Sequence, residues 1–257
     1  MIVQANSPFR HLPVNLDRRQ TLFLDGIRYA VEMIDLAYAR LRQTLHQLSY
    51  LDLTNEHIKS DDSVMALRAT AFLDAWSIVD SINRFRVLIE QLPKLKKRDF
   101  NIDSFMRDTI NILKLRNGVQ HLPGEIQKLI QNNLTVWGTL SWFTVIDAQE
   151  QIGRSCVLGA GTFNQHLGMA KLPVGKTIRV PIDCVVLSAH GYDLELTLAV
   201  DRAFKLFQDI ERSLAPQVEV HKPAGADFQM HIDVKFSDEA DTSSITTENL
   251  YITVDRV

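Results

Sequence analysis

The stretch Leu129-Ile130-Gln131-Asn132-Asn133-Leu134-Thr135-Val136-Trp137-Gly138-Thr139-Leu140-Ser141-Trp142-Phe143-Thr144-Val145-Ile146 carries the change on which the fold turns. Up to about residue 135, apolar residues recur every three or four positions, the period of a helix with one buried face. From Thr135 to Ile146 the chain is rich in Thr, Val, Trp and Phe, which suit a pleated, half-buried surface. The expectation is an α+β chain. An N-terminal antiparallel four-helix bundle would occupy residues 1–134, and a β-rich domain with one helix would occupy 135–257.

Upstream of the change, Phe23, Ile27, Ala30, Ile34, Ala37, Leu41, Leu45 and Leu48 line one face of a long helix, with Asp17 placed to cap it. A second long helix is expected over 62–92. Its stripe of Leu67, Ala71, Ala75, Ile78, Ile82, Phe85 and Ile89 is widened by Phe72, Trp76 and Val79, which predicts a central position. Pro93 stops it. A third helix is expected over 103–115. A fourth spans 119–132, interrupted or restarted at Pro123-Gly124. Short connections between helices predict antiparallel neighbours.

Downstream, strands are expected over 135–146, 154–162, 176–181, 184–188 and 194–200. The last two flank Ala189-His190-Gly191-Tyr192-Asp193, which reads as a hairpin with a glycine in its loop. Ala203, Phe204, Phe207, Ile210 and Leu214 return to helical spacing, so a helix is predicted at about 201–214. Further strands are expected at 228–236 and 249–254, on either side of a polar, acidic loop at 237–248.

The chain has 257 residues, 46% of them apolar, which suits a globular core and argues against wholesale disorder. No apolar run approaches the roughly 18 residues of a membrane span. The first residues lack the basic start and apolar region of a signal peptide, so the expected location is the cytoplasm, with no membrane partner. Cys156 and Cys184 are too few for a disulfide framework or a cysteine zinc site. His166, His190, His221 and His231 lack metal-ligand spacing and read mostly as surface residues, so neither metal nor cofactor is expected. Gly159-Ala160-Gly161-Thr162 lacks the Gly-Lys-Ser/Thr ending of a phosphate loop. The net charge of −3 argues against a generic nucleic-acid coat. It conceals a split: residues 1–135 hold 18 Lys+Arg and 15 Asp+Glu, whereas 136–257 hold 10 and 16.

The chemistry concentrates in Lys114-Leu115-Arg116-Asn117-Gly118-Val119-Gln120-His121. Histidine titrates near neutral pH and serves as general base or acid. An Arg fork binds two phosphate oxygens and stays ionised. Residues five apart on an ideal helix point about 140° from each other, so Arg116 and His121 need a local distortion, or a second subunit, to share one phosphate. On residues alone, Asn117-Gly118 also reads as a helix C-cap, with Arg116 near the C-terminal dipole and His121 in a loop. Lys94, Lys96, Lys97 and Arg98 form the densest basic cluster, either a guide for RNA together with Lys114 or a solvated loop. Asp80 and Arg84 have i,i+4 spacing and read as a structural ion pair. Asp74 is a further candidate if it points into the bundle near the motif.

Arg116, Asn117 and His121, late in a run of helices, resemble the signature of the HEPN superfamily: Arg, a polar residue, three or more residues, then His. The resemblance covers residues 16–134 and does not extend to the strand half. It implies a four-helix bundle, a homodimer with two motifs in one cleft, and metal-independent RNA cleavage by 2′-hydroxyl attack in a bacterial toxin or antiviral-defence system. Arg116 and His121 would be catalytic and Asn117 would orient His121 or hold a phosphate oxygen. The β-rich domain would dock a partner or an inhibitor. The alternative is a non-catalytic binding or assembly module whose β domain docks a partner protein.

Overall fold

The computed structural model describes residues 1–14, 16–51, 54, 61–95, 100–161, 177–218 and 227. Met1–Gly225 form one compact unit, and Ala226–Val257 a second in which only Asp227 is described. The strands expected at 228–236 and 249–254, and the loop at 237–248, lie outside the described residues.

Helix α1 runs Arg18–Ser49 and α2 runs Asp62–Gln91. Each starts where an aspartate accepts from otherwise unpaired backbone N–H groups: Asp17 from Arg19, and Asp61 from Ser63 and Val64. Leu92 and Pro93 follow α2, as proline requires. The two helices are antiparallel, because Gly26 meets Leu88 while Arg40 meets Asp74, so numbers rise on one as they fall on the other. Asp74 is 0% exposed. Arg40 Nε donates to its two carboxylate oxygens at 3.2 and 3.3 Å, and Arg40 Nη2 bonds it as well. A buried carboxylate without such partners would be strongly destabilising.

The third expected helix is divided. Helix α3 is Ile102–Asp108 and α4 is Ile110–Gln120, with Thr109 between them. The buried Thr109 hydroxyl donates to the Phe105 carbonyl at 2.6 Å and accepts from Arg86, a back-bond that competes with a continuous helix. Helix α5, Leu122–Gln131, has Pro123 in its first turn, where the missing N–H costs nothing. Leu129 is its buried residue, so α5 lies at the edge of the core.

Among the described residues, four antiparallel strands form one sheet in the order β2-β1-β3-β4: β1 Thr139–Asp147, β2 Ile152–Gly159, β3 Ile182–Ala189 and β4 Tyr192–Glu195. Residues 177–181 reach β3 without forming a strand. His190 and Gly191 turn the β3–β4 hairpin, both with positive φ, as a two-residue loop between right-twisted strands requires. Gly138 leads into β1 at φ +81, and a Cβ there would lie 2.3 Å from the Ser188 carbonyl oxygen. The strand expected over 194–200 stops at Glu195. Helix α6 begins at Leu196 and runs to Val218, five residues before its expected start. Short apolar runs do not distinguish a strand from a buried helix. Here Leu196, Ala199, Val200, Ala203, Leu206, Phe207 and Ile210 are buried at helical spacing.

Helix α6 packs on α1, α2, α3 and β3. The Tyr38 hydroxyl donates to Thr197 Oγ1 at 3.1 Å, and that oxygen accepts from the Val185 N–H at 3.0 Å, so one hydroxyl ties α1, α6 and β3. Trp142 Nε1 donates to Ser49 Oγ at 2.8 Å, and Arg42 Nη2 donates to the carbonyls of Val180 and Ile182. Ile27, Leu45 and Phe85 share one buried cluster with Leu140, Trp142, Leu187 and Phe207, so the core is continuous across the change of pattern near residue 135.

A chain ending at residue 134 is therefore expected to lose cooperative unfolding, since α1 would expose the face that Trp142 and α6 cover. Thermal melting followed by circular dichroism checks this, and a sharp single transition in that fragment would contradict it.

Candidate functional site

Arg116 and Asn117 lie on α4, which two neighbours hold from different sides, and His121 follows its end. On one side is the β3–β4 hairpin. Asn111 Nδ2 donates to the Asp193 carbonyl at 2.8 Å, Lys114 Nζ sits 4.8 Å above the Tyr192 ring, and Gly118 meets His190. The spacing of 111, 114 and 118 puts all three on one helix face. A Cβ at Gly118 would come within 2.6 Å of the His190 ring, so only glycine allows this approach. Asn117-Gly118 is thus not a helix end. Gly118 is buried inside α4, which continues to Gln120.

His190, read from sequence among mostly surface histidines, is 3% exposed. Its hairpin-turn position would face solvent if α4 did not cover it. Both ring nitrogens lack a hydrogen-bond partner among the described residues, and the ring stands edge-on to Trp76 at 6.4 Å. Burial pushes its pKa below the usual 6.5; Glu125 opposes that shift and Lys128 adds to it.

Another face of α4 meets α2. Arg116 Nε donates to Asp80 Oδ1 at 3.2 Å, and Arg116 Nη1 donates to Gln120 Oε1 at 3.1 Å. The other Asp80 oxygen accepts from Arg84 Nε at 2.7 Å, so the expected Asp80–Arg84 pair forms and also holds the motif arginine. The carboxylate that meets Arg116 is Asp80; Asp74 is engaged by Arg40. Beside Arg116 is a groove of about 180 Å³. Trp76, Val79 and Asp80 of α2 form one wall, Arg116, Val119 and Gln120 of α4 the other, and Trp137 borders it too. The apolar pattern puts Trp76 in the α2 stripe and Trp137 inside the strand expected over 135–146, whereas β1 begins only at Thr139 and Trp137 precedes it. Their meeting left no signal beyond the presence of two large aromatics.

His121 is the joint between α4 and α5, with φ −106° and ψ 26°. Its N–H donates to the Asn117 carbonyl at 3.0 Å, and its own carbonyl accepts from Gly124 at 2.9 Å. The His121 ring and the Asn117 side chain are exposed. Within one chain Arg116 turns toward α2 and His121 stands beyond the end of α4, so the two are not brought onto one point. Lys114 is exposed and engaged with Tyr192. Lys94 is exposed after α2, whose last residue is a rise of roughly 17 Å from Asp80. Lys96, Lys97 and Arg98 lie outside the described residues.

Among the described residues, no three His, Cys, Asp or Glu side chains gather as a metal would need, and no helix is long and apolar enough to cross a membrane. No family model, curated protein or solved structure matches the chain.

Two measurements probe the Gly118–His190 contact. Gly118→Ala is expected to cost about 2 kcal/mol of unfolding free energy through overpacking. That penalty should shrink in a His190→Asn background, because the substitutions act at one contact. A denaturation double-mutant cycle reads this, and additive effects would count against the contact. The second measurement is the pH dependence. With its folded pKa lowered, His190 resists a proton that the unfolded chain accepts below about pH 6.5. The unfolded state then binds more protons, so His190 makes stability fall as pH drops through that value. His190→Asn should flatten the fall; an unchanged slope would exclude His190 as its source.

Proposed function

We propose that this protein is a HEPN-like ribonuclease that acts as a homodimer in the cytoplasm, in a toxin or antiviral-defence setting. The helices α1, α2 and α4 would represent the HEPN-like bundle, with the strand half docking a partner or inhibitor. One observation carries the reading. The helix breaks at His121, leaving an exposed imidazole at a helix joint, five residues after an arginine on the rim of a groove. A five-residue spacing on a continuous helix splays the two side chains, and the break at His121 leaves them apart within one chain, so a second subunit would have to complete the motif.

The chemistry follows from the residue types. His121 would take the proton of the RNA 2′-hydroxyl, whose oxygen attacks the adjoining phosphorus. The phosphorus–5′-oxygen bond breaks, and the departing oxygen takes a proton from an imidazolium, supplied by the second motif of a dimer. The products are a 2′,3′-cyclic phosphate and a 5′-hydroxyl. Arg116 would meet the charge that gathers on the non-bridging oxygens, with Asn117 orienting His121 or holding one of those oxygens. No metal enters this scheme.

A second reading, a non-catalytic binding or assembly module, is favoured by one contact. Asp80 already holds Arg116, so a phosphate must compete with a carboxylate for that guanidinium. Cleavage of RNA by the full chain with EDTA present separates the two. His121→Ala and Arg116→Ala should each lower cleavage at least about a hundredfold while the thermal midpoint stays near that of the wild type. Equal cleavage by wild type and His121→Ala would end the nuclease reading.

A further inference from the structure

We infer that the Trp76–Trp137 groove is a stacking site for one unpaired base of single-stranded RNA, with Arg116 meeting the phosphate beside that base. The choice of RNA rests on the proposed function, but binding at this groove and cleavage at His121 are separate events.

Size selects the occupant first. Drug-sized ligands occupy clefts of about 300–1,000 Å³, and this groove has about 180 Å³, room for a single ring system. Its sides are apolar at Val79 and Val119, and Trp137 is 50% exposed, a large aromatic face left open to an incoming ring.

The aromatic wall is also held in place. Trp76 Nε1 donates to the Trp137 carbonyl at 3.2 Å, and the two indoles stand edge to face, 71° apart with centroids at 6.4 Å. On another side Trp76 meets His190, which the close approach of Gly118 seats against α4. A base that enters therefore meets a surface whose ordering has already been done by the fold.

Charge selects the rest of the ligand. Asp80 and Arg116 line the groove, and Arg84 behind them shares the Asp80 carboxylate, so the three groups together carry a net positive charge. A flat ring that brings an anion one bond system away matches apolar walls beside a cationic rim. Every base of an unpaired strand offers that combination, whereas bases inside a duplex keep their faces stacked. An apolar peptide side chain would fill the groove and bring no anion to the net positive charge beside it.

The test uses the full chain and a labelled, single-stranded 2′-O-methyl oligoadenylate, which cannot undergo 2′-hydroxyl attack. Anisotropy gives its affinity, and quenching of indole emission reports stacking directly. Trp137→Ala should weaken binding at least about fivefold, Trp137→Phe should keep most of it, and the corresponding duplex should bind more weakly than the single strand. Indole quenching in the wild type keeps the test open should Trp137→Ala fail to fold. Equal affinity of folded Trp137→Ala and wild type would overturn the inference, as would a duplex that binds as tightly. Absent RNA binding with Trp137-dependent self-association in sedimentation would overturn it too, and would assign the groove to a second copy of the chain. Trp137-dependent binding without cleavage of unmodified RNA would uphold the stacking site while ending the nuclease reading.

Discussion

Helix α1 is buried from two directions, and the remaining elements take their positions from it. Toward α2 it offers Ile27 and Arg40, which meets the fully buried Asp74. Toward the sheet and α6 it offers Tyr38, Arg42 and Ser49, each bonded to a residue more than ninety positions away. A helix with only one apolar face could leave the strands as an independent body. This one cannot expose either face without returning apolar surface to water and giving up hydrogen bonds made across the core.

That shared core explains why the motif helix depends on the strand half of the chain. Helix α4 docks on β4 and the β3–β4 turn through Asn111, Lys114 and Gly118, and on α2 through Arg116. Its last turn is therefore held by groups from both parts of the sequence. His190 sits behind that turn with its ring nitrogens unbonded among the described residues, so its burial rests on packing against Gly118 and Trp76. Burial without a hydrogen bond favours the neutral ring.

Electrostatics at the motif are local in a way the total charge conceals. The chain as a whole is weakly acidic and its helical part weakly basic. At Arg116 what counts is one carboxylate divided between two guanidiniums. A second arginine on Asp80 leaves less of its charge for Arg116 than a lone pair would. Arg116 is thus oriented by Asp80 within a group of two guanidiniums and one carboxylate. The basic cluster after α2 does not enter this balance: Lys94 is far along the helix, and its companions lie outside the described residues.

Local signals were legible in the sequence. The 3.6-residue stripes of α1 and α2, the Asp17 cap, the stop at Pro93, the Asp80–Arg84 pair and the glycine-containing hairpin turn all depend on residues within a few positions of each other. The tertiary structure decided the rest. The split at Thr109 needs Arg86, the burial of Asp74 needs Arg40, and the early start of α6 needs the surface of α1 and β3. Gly118 looked like a helix terminator until His190, seventy-two residues later, occupied the space that a Cβ would fill. Periodicity tells which face of an element is apolar, and it carries no information on which distant residue will cover that face. The groove beside Arg116 is made by such a covering, with Trp76 and Trp137 meeting only once the chain has closed.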